Sequence, residues 1–212
     1  MHSFLPVRFR TDALPKRSIA ALAKSAVVAL VISLAGLTLS CEQSPNLEQS
    51  RTYNKQGIAF DYPGNWQLME EDFSESGRYI MIRTAGDGLA IVQYYRETSF
   101  DSLREFADFM FKLYSEEFSH GALQDLNYQS IRENRRGAAI EGLRETHTLH
   151  ESAMTLKMIR HYFRIWSGAR WIYLTFHIPF KDHEKTWPGF SMILDSFSFE
   201  ESRMFGKEDG GM

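Results

Sequence analysis

Cysteine is almost absent from this 212-residue chain: Cys41 is the only one. No intramolecular disulfide can form, so the fold must stand on burial and hydrogen bonding. There is no excess of basic charge to attract nucleic acid or an anionic surface across the whole chain, because 24 basic residues face 27 acidic ones. No glycine-rich phosphate loop is present, and neither is an internal repeat or a low-complexity block. The longest uncharged apolar run, 25–40 (SAVVALVISLAGLTLS), is shorter than the ~20 residues of a spanning helix. Aromatic residues, by contrast, are plentiful at 14% and supply bulk for a real core.

The apolar run has a particular setting. Arg8, Arg10, Lys16, Arg17 and Lys24 precede it, and small residues close it at Cys41. Basic, then apolar, then small is the layout of a secretory signal. Thr38-Leu39-Ser40-Cys41 resembles the lipobox of bacterial lipoproteins, with Thr38 where that family usually has leucine. The resemblance implies a signal peptide over 1–40, cleavage before Cys41 and a covalent lipid on its thiol. An uncleaved anchor and a conventionally cleaved signal with a free thiol are the competing readings. Residues 1–40 hold five of the basic residues and one of the acidic ones, which leaves 19 against 26, a net of −7. Membrane attachment of so acidic a chain would then come from the lipid. Residues 41–52 read as a polar lipidated tether, 53–200 as one domain and 201–212 as a flexible tail.

Within the domain, Ile58, Phe60 and Tyr62 alternate as in a strand that Pro63-Gly64-Asn65 terminates. Stretches 79–85 and 89–95 flank Gly86-Asp87-Gly88 and read as a hairpin. Leu103, Phe106, Ala107, Met110, Leu113, Tyr114 and Phe118 then follow helical spacing behind the capping box Ser102-x-x-Glu105, and Gly121 stops it. Strands follow near 126–132 and 138–149. In the last hairpin, a two-residue loop at Gly168-Ala169 sets Phe163 opposite Leu174 and Ile165 opposite Ile172. A helix over 182–194 is expected to break or restart at Trp187-Pro188, with Thr186 as cap, before a short strand at 196–199. The order predicts an α+β fold, an antiparallel β-sheet flanked by helices.

GIAFDYPGNWQL, RWIYLTFHIP and FSMILDSFSF resemble the PsbP-like family, which includes extrinsic photosystem II subunits and bacterial lipoproteins of the DcrB-like kind. The anchors are Tyr62-Pro63-x-x-Trp66 and Leu194-Asp195-Ser196-Phe197. The resemblance implies an α/β/α sandwich and an accessory or assembly factor rather than an enzyme.

No catalytic residues are assigned. Gly189-Phe190-Ser191-Met192-Ile193 is a broken G-x-S-x-G without a strand before it. Glu70-Glu71-Asp72 and Glu116-Glu117 read as solvated charge. His147 and His150 at i, i+3 on a strand face opposite sides, and the hairpin register separates His161 from His177, so no metal site is assigned and no cofactor beyond the lipid. The candidate partner-binding face is the polar side of the last hairpin: Arg160, Tyr162, Arg164, Trp166, Trp171, Tyr173 and His177, residue types enriched at binding hot spots. Its alternative is a face covered by the second helix, whose Trp187, Phe190 and Ile193 need a place to pack. The expectation is a non-enzymatic, lipid-anchored envelope protein facing the periplasm, with Glu42 favouring the outer membrane. It would hold the membrane through lipid, bind an envelope protein partner and bind no nucleic acid. A small-ligand or metal-binding periplasmic module is the alternative, and a hydrolase stands behind it. Cys41→Ala should abolish acylation and leave uncleaved precursor; metabolic palmitate labelling that survives the change would refute the lipobox reading.

Overall fold

The computed structural model describes residues 44–74, 77–96, 100–135, 138–151, 154–168 and 170–200. Cys41, the expected signal segment 1–40 and the expected tail 201–212 lie outside them. Among the described residues, no helix is long and apolar enough to cross a membrane.

A seven-stranded antiparallel sheet forms the middle layer. Its strands are β3 (Gln67–Ser74), β4 (Gly77–Arg83), β5 (Leu89–Tyr95), β6 (Leu123–Arg135), β7 (Ala138–Glu151), β8 (Met154–Trp166) and β9 (Trp171–Pro179), in the order β3-β4-β5-β9-β8-β7-β6. A smaller sheet holds β1 (Arg51–Lys55), β2 (Ile58–Tyr62) and β10 (Ser198–Phe199) in the order β1-β2-β10. Helix α1 (Leu103–Ser115) lies on one face of the large sheet. Helix α2 (His183–Ser196) lies on the other, together with the small sheet, after a 3-10 turn at Phe180–Asp182. The fold is α+β, an antiparallel sheet with a helix on each face.

Both faces of the central strands are covered, and their burial shows it: Ile172 to Pro179 is buried at every position. Phe163, Ile172, Leu174 and Phe176 join Ile58, Phe60, Trp66, Phe190 and Ile193 in the larger cluster. Phe176 stacks on Phe190 at 4.6 Å, and Trp66 meets Phe190 edge-on at 5.1 Å. The opposite cluster gathers Tyr95, Phe100, Phe106, Met110, Tyr162 and Tyr173. The expected hairpin register is observed: Phe163 pairs with Leu174 and Ile165 with Ile172. Gly168 sits at φ 99°, and Ser167 N donates to Arg170 O at 2.9 Å across the turn. The capping box is also present. Ser102 Oγ accepts from Glu105 N at 3.1 Å, and Glu105 Oε2 accepts from Asp101 N at 2.8 Å.

Three expectations need correction. Residues 44–52 are not a free tether. Asn46 N donates to Asn65 Oδ1 at 2.8 Å, Gly64 N to Asn46 O at 3.0 Å, and Asn65 Nδ2 to Ser44 O at 2.9 Å. Gly64 permits this approach, since a Cβ there would collide with the Gln49 carbonyl. Arg51–Lys55 then forms β1, and Tyr53 buries its ring against Phe60 at 5.0 Å. Second, α2 runs unbroken from His183 through Pro188, so Thr186 is not its cap. Third, Glu70, Glu71 and Asp72 belong to a half-buried edge strand, β3, with Lys55 Nζ on Glu71 Oε1 at 2.7 Å.

A polar cluster sealed beneath helix α1

Alternation on three neighbouring strands brings polar side chains to the sheet face under α1. The pairings Glu145↔Arg160 and Arg160↔His177 place β7, β8 and β9 residues on one rung. Two residues along β7, His147 joins them; two residues along β8, Tyr162 does. Glu145 is 0% exposed and Arg160 3%. Their ion pair spans 3.3 Å, from Arg160 Nη1 to Glu145 Oε1. Tyr162 OH donates to Glu145 Oε2 at 2.7 Å, and His147 Nδ1 lies 2.9 Å from Glu145 Oε1. The carboxylate is thus held at both oxygens, which is what a buried charge requires.

Helix α1 closes the cluster. Tyr114 lays its ring 3.9 Å from the Arg160 guanidinium and lies within 5.5 Å of the His147 ring and 5.2 Å of the His177 ring. About two helical turns earlier, Phe106 stacks on Tyr173 at 4.0 Å and meets Tyr162 edge-on at 5.8 Å. Burial alone would raise the Glu145 carboxyl, but Arg160 and the bonds from His147 and Tyr162 outweigh it and leave its pKa lowered. Burial pushes His147 down despite Glu145, and it pushes His177 well down, with Arg160 and His147 adding to the effect. Both histidines are therefore neutral at pH 7.

These contacts settle where the candidate face lies. Arg160, Tyr162, Tyr173 and His177 are buried, and what covers them is α1, not the second helix. α2 packs on the opposite face because Trp187, Phe190 and Ile193 follow the apolar side of the hairpin. Only the far end of the face reaches the surface. There Arg164 lies 4.4 Å over Trp171, Trp166 meets Trp171 edge-on at 5.1 Å, and Trp166 is 50% exposed.

On the other side of the sheet, His161 stacks on His183 at 4.9 Å and meets Trp187 at a tilt at 4.7 Å. Neither ring nitrogen of His161 has a hydrogen-bond partner among the described residues. His161 and His177 do face opposite sides, and His150 is exposed while His147 is buried. Among the described residues, no three His, Cys, Asp or Glu side chains group closely enough to hold a metal. Ser191 lies within α2, where its hydroxyl accepts from Arg135 Nη1 at 2.5 Å and donates to Asp195 Oδ2 at 3.3 Å.

Glu145 and its pairing with Arg160 were not read from the sequence. The pairing follows from the β7–β8 register, which sets Glu151 opposite Met154. The sequence there reads ESAM, with no glycine, asparagine or proline, so no local signal marks the boundary between the strands.

The chain matches no family model and no curated protein. Among solved structures it is similar to the cyanobacterial PsbP, CyanoP, from Synechocystis sp. PCC 6803. That match has 15% identity and a TM-score of 0.45, and covers 78% of this chain and 96% of that one. It is also similar to LpqN, involved in cell envelope biogenesis of Mycobacterium tuberculosis, at 11% identity and a TM-score of 0.37, covering 71% and 91%. At these identities neither transfers a function to this chain.

Two predictions follow from the buried groups. Arg160→Met should cost about 3–5 kcal/mol by stranding the Glu145 charge. Adding Glu145→Gln should recover much of that loss in urea unfolding, and a strictly additive double variant would contradict the pairing. The second concerns acid. Burial, with His183 and Arg144 nearby, holds His161 down to about 3 against an ordinary 6.5. Below pH 6.5 the unfolded chain therefore binds a proton that the folded one does not. Stability falls as pH drops through that window, by about 1.4 kcal/mol per pH unit for this group. His161→Phe keeps the ring stack and should make the slope between pH 6.5 and 4.5 shallower by about that amount, read from unfolding midpoints; an unchanged slope would refute it.

Proposed function

We propose that this protein is a lipid-anchored envelope protein, a non-enzymatic accessory or assembly factor of the DcrB-like lipoprotein kind, whose folded domain binds a protein partner in the periplasm. The observation that carries it is the setting of Cys41: a basic segment, a short apolar run and small residues end at the chain's single cysteine. Glu42 favours the outer membrane.

The polar cluster supports a binding role over a catalytic one. Arg160, Tyr162 and His147 Nδ1 all bear on the Glu145 carboxylate beneath α1, and their burial gives them work as structure. What the domain offers to a macromolecule is the hairpin end with Arg164, Trp166 and Trp171, an arginine and two tryptophans in mutual contact. A charge reversal at Arg160 would test folding, because that side chain is buried, so the surface test belongs at Arg164 and Trp166.

A photo-crosslinking residue at Trp166 of the full lipidated protein should capture one dominant envelope protein in living cells. Trp171→Ala should reduce that adduct several-fold. The same probe at Arg132, exposed on β6, should not give it. Equal adducts from both positions would count against this surface.

A further inference from the structure

The contacts of residues 44–49 shorten the tether to almost nothing. Ser44 and Asn46 are bound to the turn Pro63-Gly64-Asn65, so only Glu42 and Gln43 stand between Cys41 and the domain. Three backbone steps reach about 10 Å at full extension, whereas a free chain from Cys41 to Tyr53 would reach about 40 Å. A lipid on Cys41 thus leaves the domain no room to stand off from the bilayer.

The same contacts say which end is held. Asn65 lies two residues before Gln67, the first residue of β3. Gln67 pairs with Arg83, Arg83 with Leu89, and Leu89 with His177, so this rung marks the anchored end of the sheet. Trp171 lies six residues away along β9, about 20 Å toward the opposite end. Among the described residues, the large exposed apolar side chains are divided accordingly. Leu47 is in the anchored segment, Met69 and Leu126 lie toward this end of β3 and β6, and Phe180 follows β9 there, whereas Trp166 is at the other end. Lys157 Nζ stands 4.5 Å over the Phe180 ring, and Lys181, exposed beside it, lies 4.0 Å from Asp182 Oδ2. Apolar and aromatic side chains with lysines at their rim suit the headgroup region of a bilayer.

We propose that this end of the domain, with Leu47 and Phe180, lies against the surface of the membrane that holds the lipid, and that the Arg164–Trp166–Trp171 end points away from it. The inference rests on lipidation of Cys41. The apposed surface is the bilayer itself, fixed by covalent length, and the opposite end is left free for a protein.

The test uses the full lipidated protein in phosphatidylethanolamine–phosphatidylglycerol vesicles that contain a lipid with a nitroxide headgroup. With Cys41 acylated, an added thiol is the only free one, so bimane can be placed at Leu47→Cys, Phe180→Cys or Trp166→Cys. Bimane at positions 47 and 180 should be quenched several-fold more strongly than at 166. A Gly/Ser insertion of about a dozen residues between Gln43 and Ser44 should bring the quenching at 47 down to the level at 166. Urea unfolding of each variant checks that it is folded, and positions 47 and 180 substitute for each other if one is not. Acylated protein with equal quenching at the two ends, or quenching indifferent to the insertion, overturns the apposition and leaves the lipid reading intact. An N-terminal peptide without acyl chains by mass spectrometry overturns both.

Discussion

The Glu145–Arg160 pair is the interaction on which the arrangement of layers depends. It joins β7 to β8 in mid-sheet, at a site with no access to water. Two desolvated charges tolerate few alternatives: a shift of one residue in the β7–β8 register would turn Glu145 to the opposite face and leave Arg160 alone. Tyr162 and His147 hold the carboxylate, and Tyr114 must lie over the guanidinium. The pair thereby fixes the strand register and the position of α1 together. An apolar face would pack as tightly but would accept more than one docking of the helix.

The two faces of the sheet use different means. Under α2, Trp66, Phe176, Phe190 and Ile193 interlock, and Gly189 lets the helix approach Trp66 and Pro63 because a Cβ would overlap both. Under α1, aromatic rings surround a charged cluster. Both faces carry a histidine whose ring is kept neutral by burial, so acid weakens the two layers from the same direction. Glu145 adds to this, since its lowered pKa makes its own stabilisation disappear as the carboxylate is protonated.

What could be read from the sequence follows from how strongly each segment is marked. The β8–β9 hairpin has a glycine in its turn and long apolar alternation, and its register was legible to the residue. α1 had both a capping box and a wide apolar face. β1 was hidden because Arg51–Lys55 contains one buried side chain, Tyr53, among exposed polar ones. β3 was hidden because an irregularity between Leu68 and Glu70 breaks its alternation and acids fill the rest. The residues of the candidate face do lie on one side of the hairpin. Its covering helix was not legible, because α1 and α2 both present aromatic surfaces and nothing local assigns one to each side of the sheet.

β1 and the turn before it also change the meaning of Cys41. Read as polar tether, residues 42–52 would let the domain search a wide volume beside the membrane. With Ser44 and Asn46 bound to Pro63-Gly64-Asn65, the proposed lipid on Cys41 would make the anchor part of the fold, since the three hydrogen bonds that seat Ser44 and Asn46 also order the approach to β1. An anchor so close would restrict rotation as well as distance. A domain held by one point on a long chain presents every face in turn, whereas one held within two residues of the bilayer can present only the faces that point away. In the proposed orientation, the Arg164–Trp166–Trp171 cluster, about 20 Å along the strands from the anchored rung, would have an unobstructed approach. For such a protein, orientation comes from the length of chain between lipid and first hydrogen bond, and a longer linker would weaken partner encounter without altering any contact in the domain.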